Sequence, residues 1–321
     1  MGFIFKQIEI IYKSVLFRRH DPDGSIFYFS HSDFEGLVSE EFSFKSKRDH
    51  LLKGSFYHYG NPKQSRLIVL EHGMGNGHNS YFREIEKLAK AGYLVYSYDH
   101  TGCNHSEGDH IYGLSGSLSD LDDCINALVS QRGFSESEIT VIGHSWGGFS
   151  TLNILAYHPD LHSIVAMSGF ISIPVMQKQA VPLPLSLRNR LYDLERRTNP
   201  SYADSSAVEV LRMTDRPVLI IHSTDDATVS YKHNFLRLSA ALKGRDNVSL
   251  LTVSGSGHNP TYTVEAFYYK EAFFKDLKKK RRKGQLKNEA QRSTFASSYD
   301  WHKITEQNEQ VWSVVFKFLN K

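Results

Sequence analysis

The stretch that decides the fold is "ITVIGHSWGGFS", residues 139–150. Ile139, Thr140, Val141 and Ile142 are apolar or β-branched, as a buried strand requires, and they run directly into Gly-His-Ser-Trp-Gly-Gly. A G-x-S-x-G pentad is weak by itself, because a plain turn can carry the same letters. Its flanks give it meaning. A strand ending at Gly143 and a helix opening after Ser145 make the sharp strand–turn–helix that lifts a serine Oγ clear of its own backbone. Gly143 and Gly147 then permit backbone to approach where a Cβ would clash. The new helix also brings unpaired N–H groups and the positive end of its dipole beside the hydroxyl. Ser145 is therefore the candidate nucleophile.

Working outward, short apolar strands alternate with longer helical stretches. "RLIVLEHG" (66–73), "LVYSYDHTG" (94–102), "SIVAMSG" (163–169), "PVLIIHSTDD" (217–226) and "NVSLLTVSGSGH" (247–258) read as strands. "SYFREIEKLAKAGY" (80–93) and "SLSDLDDCINALVSQRG" (117–133) read as helices, the second capped by Ser117 or Ser119. Two further strands fall within 37–59. This alternation predicts an α/β fold: a mostly parallel central sheet flanked by helices. The predicted core spans 37–170 and 216–321. Residues 171–215, punctuated by Pro174, Pro182, Pro184 and Pro200, break the rhythm as a helical lid insertion. Residues 259–303 form a basic helical insertion before the last helix, which reads "ITEQNEQVWSVVFKFLNK".

Residues 1–36 form an N-terminal extension. Ile4, Ile8, Ile11 and Val15 fall at helical spacing, which predicts an amphipathic helix packed on its own domain, with peripheral membrane contact as the alternative. Lys6, Glu9 and Lys13 interrupt the stretch, so it reads neither as a signal peptide nor as a bilayer span. Lys6 also stands where a myristoylation signal wants Ser or Thr. The basic run Lys278–Lys283 reads as a solvated helix face. A net charge of +3 on 321 residues is far from that of a dedicated nucleic-acid binder. Cys103 and Cys124 are too few for a disulfide framework, which suits a reducing, cytoplasmic setting.

A serine hydroxyl needs a base to take its proton. Among 16 histidines, His258 stands in a Gly/Ser loop directly after the last strand. That is the sheet edge where Ser145 also emerges. His144, next to the serine, reads as structural. The base in turn needs a carboxylate, and Asp225 and Asp226 end the preceding strand. Neighbouring loop residues cannot both face one imidazole, and spacing alone does not choose between them. In "HGMG", Gly73 and Gly75 let the backbone turn an N–H toward the reaction centre. The Met74 amide, paired with that of Trp146, is the expected oxyanion hole. The same glycines could suggest a phosphate loop, but the Lys-Ser/Thr ending of one is missing.

With "HGMG", "YDHTGCNHSEG", "GHSWGG", "HSTDD" and "GSGHN" in view, the sequence resembles the α/β-hydrolase family. Within it, the nearest likeness is to the branch of monoacylglycerol lipases, lysophospholipases and carboxylesterases. The likeness spans roughly 67–258. In that branch the second of these motifs reads Asp-x-x-Gly-x-Gly-x-Ser-x-Gly; Asp99, Gly102, Ser106 and Gly108 match, Asn104 replaces a glycine, and Asn tolerates left-handed geometry. The family acid stands four residues after the strand-ending histidine, which selects Asp226, although Ser223 replaces a glycine there. The resemblance thus implies a triad of Ser145, Asp226 and His258 without metal or organic cofactor. It also implies a small acyl ester or lipid as substrate, and leaves open thioesterase, peptidase or non-catalytic binding roles. The oligomeric state is not legible.

Overall fold

The computed structural model describes every residue except 1, 63–65, 76 and 181–182, and the side chains of 2–4 are likewise outside it. Two positions used above, the Ile4 side chain and Pro182, therefore lie outside the described residues.

The chain opens with helix α1 (Gly2–Leu16) and an antiparallel pair, β1 (Leu37–Lys45) and β2 (Leu51–Tyr59). Next come β3 (Leu67–Glu71), α2 (Phe82–Lys90), β4 (Leu94–Tyr98), α3 (Gly116–Arg132), β5 (Ile139–His144), α4 (Trp146–Asn153) and β6 (Ser163–Met167). Helices α5 (Ile173–Ala180), α6 (Leu185–Thr198) and α7 (Ala207–Met213) precede β7 (Val218–Ser223), α8 (Phe235–Ala241) and β8 (Val248–Val253). The chain closes with α9 (Val264–Arg282), α10 (Glu289–Ser297), α11 (Trp301–Ile304) and α12 (Glu309–Leu319). Among the described residues no helix is long and apolar enough to cross a membrane.

The strands form one eight-stranded sheet in the order β1-β2-β4-β3-β5-β6-β7-β8, in which β2 alone runs against the others. The continuous apolar runs follow from burial on both faces. Val69, Val141, Ala166 and Ile220 point into a core closed by α3, α4 and α7. Their neighbours Ile68, Ile142, Val165 and Leu219 point into a second core closed by α2 and α12. Each fully buried aliphatic side chain contributes roughly 1.5–3 kcal/mol. A single cap contributes only about 1 kcal/mol, so packing decides where helices begin. Helix α3 accordingly starts at Gly116 after Ser115, ahead of Ser117 and Ser119, both of which are buried. A Cβ at Gly116 would stand 2.2 Å from the Ile111 carbonyl, so glycine is needed for that close approach. The last helix is shorter than its sequence pattern: α12 begins at Glu309, where the Asn308 side chain accepts from the Gln310 and Val311 amides.

The face of α1 differs from its expected register. Phe5, Ile8, Tyr12 and Leu16 pack against Leu191 and Leu194 of α6, while Ile11 and Val15 stay 64% and 52% exposed. Tyr12 decides the register, because its hydroxyl donates to Glu195 Oε1 at 2.7 Å and accepts from Gln177 Nε2 at 2.9 Å. A polar tether between helices thus rotates the apolar stripe away from the isoleucine count. The 171–215 stretch is helical, but Ala207 and Leu211 of α7 belong to the main core. Ile173 of α5 belongs to that core as well, while Leu191 and Leu194 of α6 pack with α1. The basic run closes the C-terminal end of α9, where positive charge meets the negative end of the helix dipole.

Candidate active site

Ser145 joins β5 to α4 with φ 59° and ψ −112°, a left-handed conformation that costs a non-glycine residue roughly 1–3 kcal/mol. The surroundings over-determine that turn. A Cβ at Gly147 would lie 2.5 Å from the Glu71 carbonyl, and one at Gly143 would lie 2.3 Å from the Gly147 carbonyl. The Ser145 N–H donates to Met167 O at 2.9 Å, which pins the serine to β6.

The three predicted side chains meet. Ser145 Oγ lies 2.7 Å from His258 Nε2, and His258 Nδ1 lies 2.8 and 3.0 Å from the two Asp226 oxygens. The Asp226 side chain is fully buried, while that of His258 keeps 22% exposure. Asp226 Oδ1 also accepts the Thr228 and Val229 amides, both at 2.9 Å. Burial alone would raise the Asp226 pKa. Hydrogen bonding from His222, His258 and the Val229 amide outweighs it and holds the carboxyl well below its usual range. Asp226 is thus a carboxylate at neutral pH. It fixes the tautomer of His258 with Nδ1–H toward itself, which leaves Nε2 free to accept from Ser145.

Asp225 has a different task. Its oxygens accept Ser223 Oγ at 2.5 Å and the Gly255 and Gly257 amides at 2.9 and 3.2 Å. It clasps the backbone of the turn that carries His258, so the serine at 223 serves this clasp.

The "HGMG" loop passes beside Ser145: the Cβ position of Gly73 is 3.2 Å from Ser145 Cβ. Gly75 has φ 145°, whereas Gly73 is needed for close approach and not for positive φ. The Gly73 N–H is already committed to Tyr81 Oη at 2.9 Å. The Trp146 amide is the first of α4 and so lacks an intrahelical acceptor. In the loop after β4, Asn104 takes φ 44° as its residue type allows, and Asp99 holds the loop by accepting from Asn104 Nδ2 and the His78 amide.

The structure gives the structural role of His144 its content: the ring reaches out of its own turn to two distant segments. His144 Nε2 donates to the His258 carbonyl at 2.7 Å, and its Nδ1 accepts the Tyr81 hydroxyl at 2.8 Å. These bonds run from Gly73 N–H through Tyr81 and His144 to His258 O, tying the "HGMG" loop to the loop that carries His258. Nothing in the spacing of these residues signals the link. Burial pushes the His144 pKa down to about 3, so the ring is neutral. In the unfolded chain it would bind a proton below about 6.5. Between those values the unfolded state carries more protons, so this group's stabilisation is lost as pH falls. Relative to His144→Gln, the wild type should lose about 3 kcal/mol between pH 7 and 4. Urea midpoints for the two proteins should converge or cross on acidification. A constant gap would refute the neutral-ring assignment. The comparison with the variant is needed because Glu84 and Glu195, both raised to about 7, titrate in the opposite sense.

Beneath the elbow, buried His100 sits between Glu71 (3.2 Å) and Asp120 (3.4 Å). Burial opposes its charge, yet the two carboxylates prevail and raise it to about 9. Glu71 also accepts from Ser150 Oγ, so this ionic cluster braces α4 from below.

A family model described as alpha/beta hydrolase fold matches residues 66–209. The AB hydrolase superfamily protein YfhM of Bacillus subtilis is 28% identical over 165 residues, 51% of each chain. A monoacylglycerol lipase of Mycolicibacterium smegmatis is 28% identical over 108 residues, 32% of this chain and 37% of that one. The chain thus spans about half, or less, of the length of these curated relatives. The solved esterase Pf2001 of Pyrococcus furiosus superposes with a TM-score of 0.59 at 17% identity, covering 83% of this chain and 98% of that one. Sheet order, elbow and family match agree: the chain has the α/β-hydrolase fold.

Proposed function

We propose that this protein is a serine-dependent acyl hydrolase acting on small carboxylic esters through an acyl-enzyme. The observation that carries the reading is the unbroken hydrogen-bonded series Asp226–His258–Ser145, standing on a strained elbow at the carboxyl edge of the sheet. The monoacylglycerol lipase among the curated relatives supports an ester, and a proline iminopeptidase among them makes an amide the second reading.

In the first half-reaction Ser145 Oγ attacks the ester carbonyl carbon while His258 Nε2 takes the hydroxyl proton. The oxyanion forms against the amides of Met74 and Trp146, each such donor being worth about 2.7–4 kcal/mol in the transition state. Asp226 stabilises the imidazolium without itself taking the proton. His258 then delivers its proton to the leaving alkoxide oxygen as the C–O bond breaks. Water repeats the sequence on the acyl-enzyme, releasing the acid and restoring Ser145. Every proton is carried by His258, so the cycle calls on no further group.

A fluorophosphonate probe tests this without knowledge of the substrate. The folded protein should be labelled stoichiometrically, with the adduct mapping by mass spectrometry to Ser145. Absence of labelling on folded protein would favour a non-catalytic binding role. Labelling combined with faster turnover of thioester or amide analogues than of the matched ester would move the substrate class.

A further inference from the structure

A cavity of about 260 Å³ lies behind the "HGMG" loop. It is smaller than the roughly 300–1,000 Å³ of sites for drug-sized ligands, so it suits a single ring. Its floor is Gly73–Gly75, and its walls come from two segments outside the central sheet: Phe27 and Phe29 near the N-terminus, and Phe273 and Trp301 of the 259–303 insertion. These rings are mutually fixed. Phe273 and Trp301 meet edge to face at 5.0 Å, as do Phe27 and Phe29 at 5.1 Å.

One cation interrupts this aromatic lining. Lys270 of α9 is half-buried, its Nζ donating to Asn259 Oδ1 at 2.8 Å and lying 5.0 Å from the Tyr262 ring centre. Among the described residues it forms no ion pair and no other hydrogen bond. Glu84, which is buried, and Glu271 are near enough to be felt electrostatically, yet neither is hydrogen-bonded to Lys270, and Glu84 accepts instead from Gln307. Burial lowers the Lys270 pKa to about 8, so it remains mostly charged at pH 7. An ammonium facing an apolar cavity with one neutral acceptor is poised to receive an anion.

Ser145 and His258 do not themselves line the cavity, but two of its lining residues touch their surroundings. Gly73 lines it and packs against Ser145, while Lys270 is bonded to Asn259, the residue after His258.

We propose that the cavity is the leaving-group site of the hydrolase and takes an aryl alcohol bearing a carboxylate, whose charge pairs with Lys270. This deepens the serine-hydrolase reading and rests on it for the word "leaving-group"; the binding claim stands separately. Two measurements test it at pH 7. In calorimetry, the wild type should bind 4-hydroxybenzoate at least roughly tenfold more tightly than 4-hydroxybenzamide. In kinetics, the ratio of kcat/KM for 4-acetoxybenzoate over phenyl acetate should exceed about ten and fall to near one in Lys270→Met. Equal binding of the two phenols, or a ratio unchanged by Lys270→Met, would overturn the proposal. If neither ester turns over but the carboxylate still binds preferentially, the leaving-group assignment is overturned while the anion site survives, and fluorophosphonate labelling of Ser145 reports separately on the hydrolase reading. The calorimetric arm uses only wild-type protein, so it holds even where Lys270→Met fails to fold.

Discussion

Ser145→Ala should lower kcat on p-nitrophenyl esters by a factor on the order of 10⁵–10⁶ while leaving the thermal unfolding midpoint almost unchanged. The magnitude follows from how triad members act as a unit: without the nucleophile, the base and acid have nothing to activate, and only binding and oxyanion stabilisation remain. The fold survives because, among the described residues, the hydroxyl makes a single hydrogen bond, to His258 Nε2, while the backbone N–H to Met167 stays in place. Alanine keeps the Cβ that already occupies the left-handed position, so no new clash arises. Burst kinetics and steady-state rates on a purified, folded variant are the check. Retention of more than about one per cent of wild-type activity would remove Ser145 from the mechanism.

The second large effect separates two adjacent carboxylates. Asp226→Asn should cost about 10⁴ in kcat, because an amide facing His258 Nδ1 no longer enforces the tautomer that leaves Nε2 as acceptor. Asp225→Asn should cost less than about tenfold in kcat and roughly 1 kcal/mol in stability, since it weakens hydrogen bonds to the Gly255 and Gly257 amides but leaves the imidazole–carboxylate pair intact. Rates and unfolding midpoints for both variants decide the matter. A larger rate loss at 225 than at 226 would reverse the assignment of the acid and send attention to the turn at 255–257 as the seat of catalysis.

The two aspartates also mark where sequence reasoning reaches its limit. Residue types and order placed an acid near 225–226. Choosing Asp226 needed a family pattern, because a loop's local letters do not state which side chain turns inward. The structure supplies the reason: Asp225 is engaged by the backbone of the following loop, 30 residues away and beyond the reach of any local pattern. The same holds for His144. Its ring could be read only as crowded, since its partners Tyr81 and His258 are 63 and 114 residues distant.

Local chemistry determined much about this protein. Alternating apolar runs specify strands buried on two faces, and glycines at 143 and 147 specify a turn that no larger residue could make against the Gly147 and Glu71 carbonyls. Those constraints act over a few residues and are therefore written in consecutive letters. What only the tertiary structure decided is the rotation of α1, set by the Tyr12–Glu195 bond, the clasp of Asp225, the bonds from Gly73 to His258, and the aromatic cavity with its single lysine. Each depends on side chains from distant segments being fixed by packing. The free energy that selects them exists only once the sheet and its helices have closed.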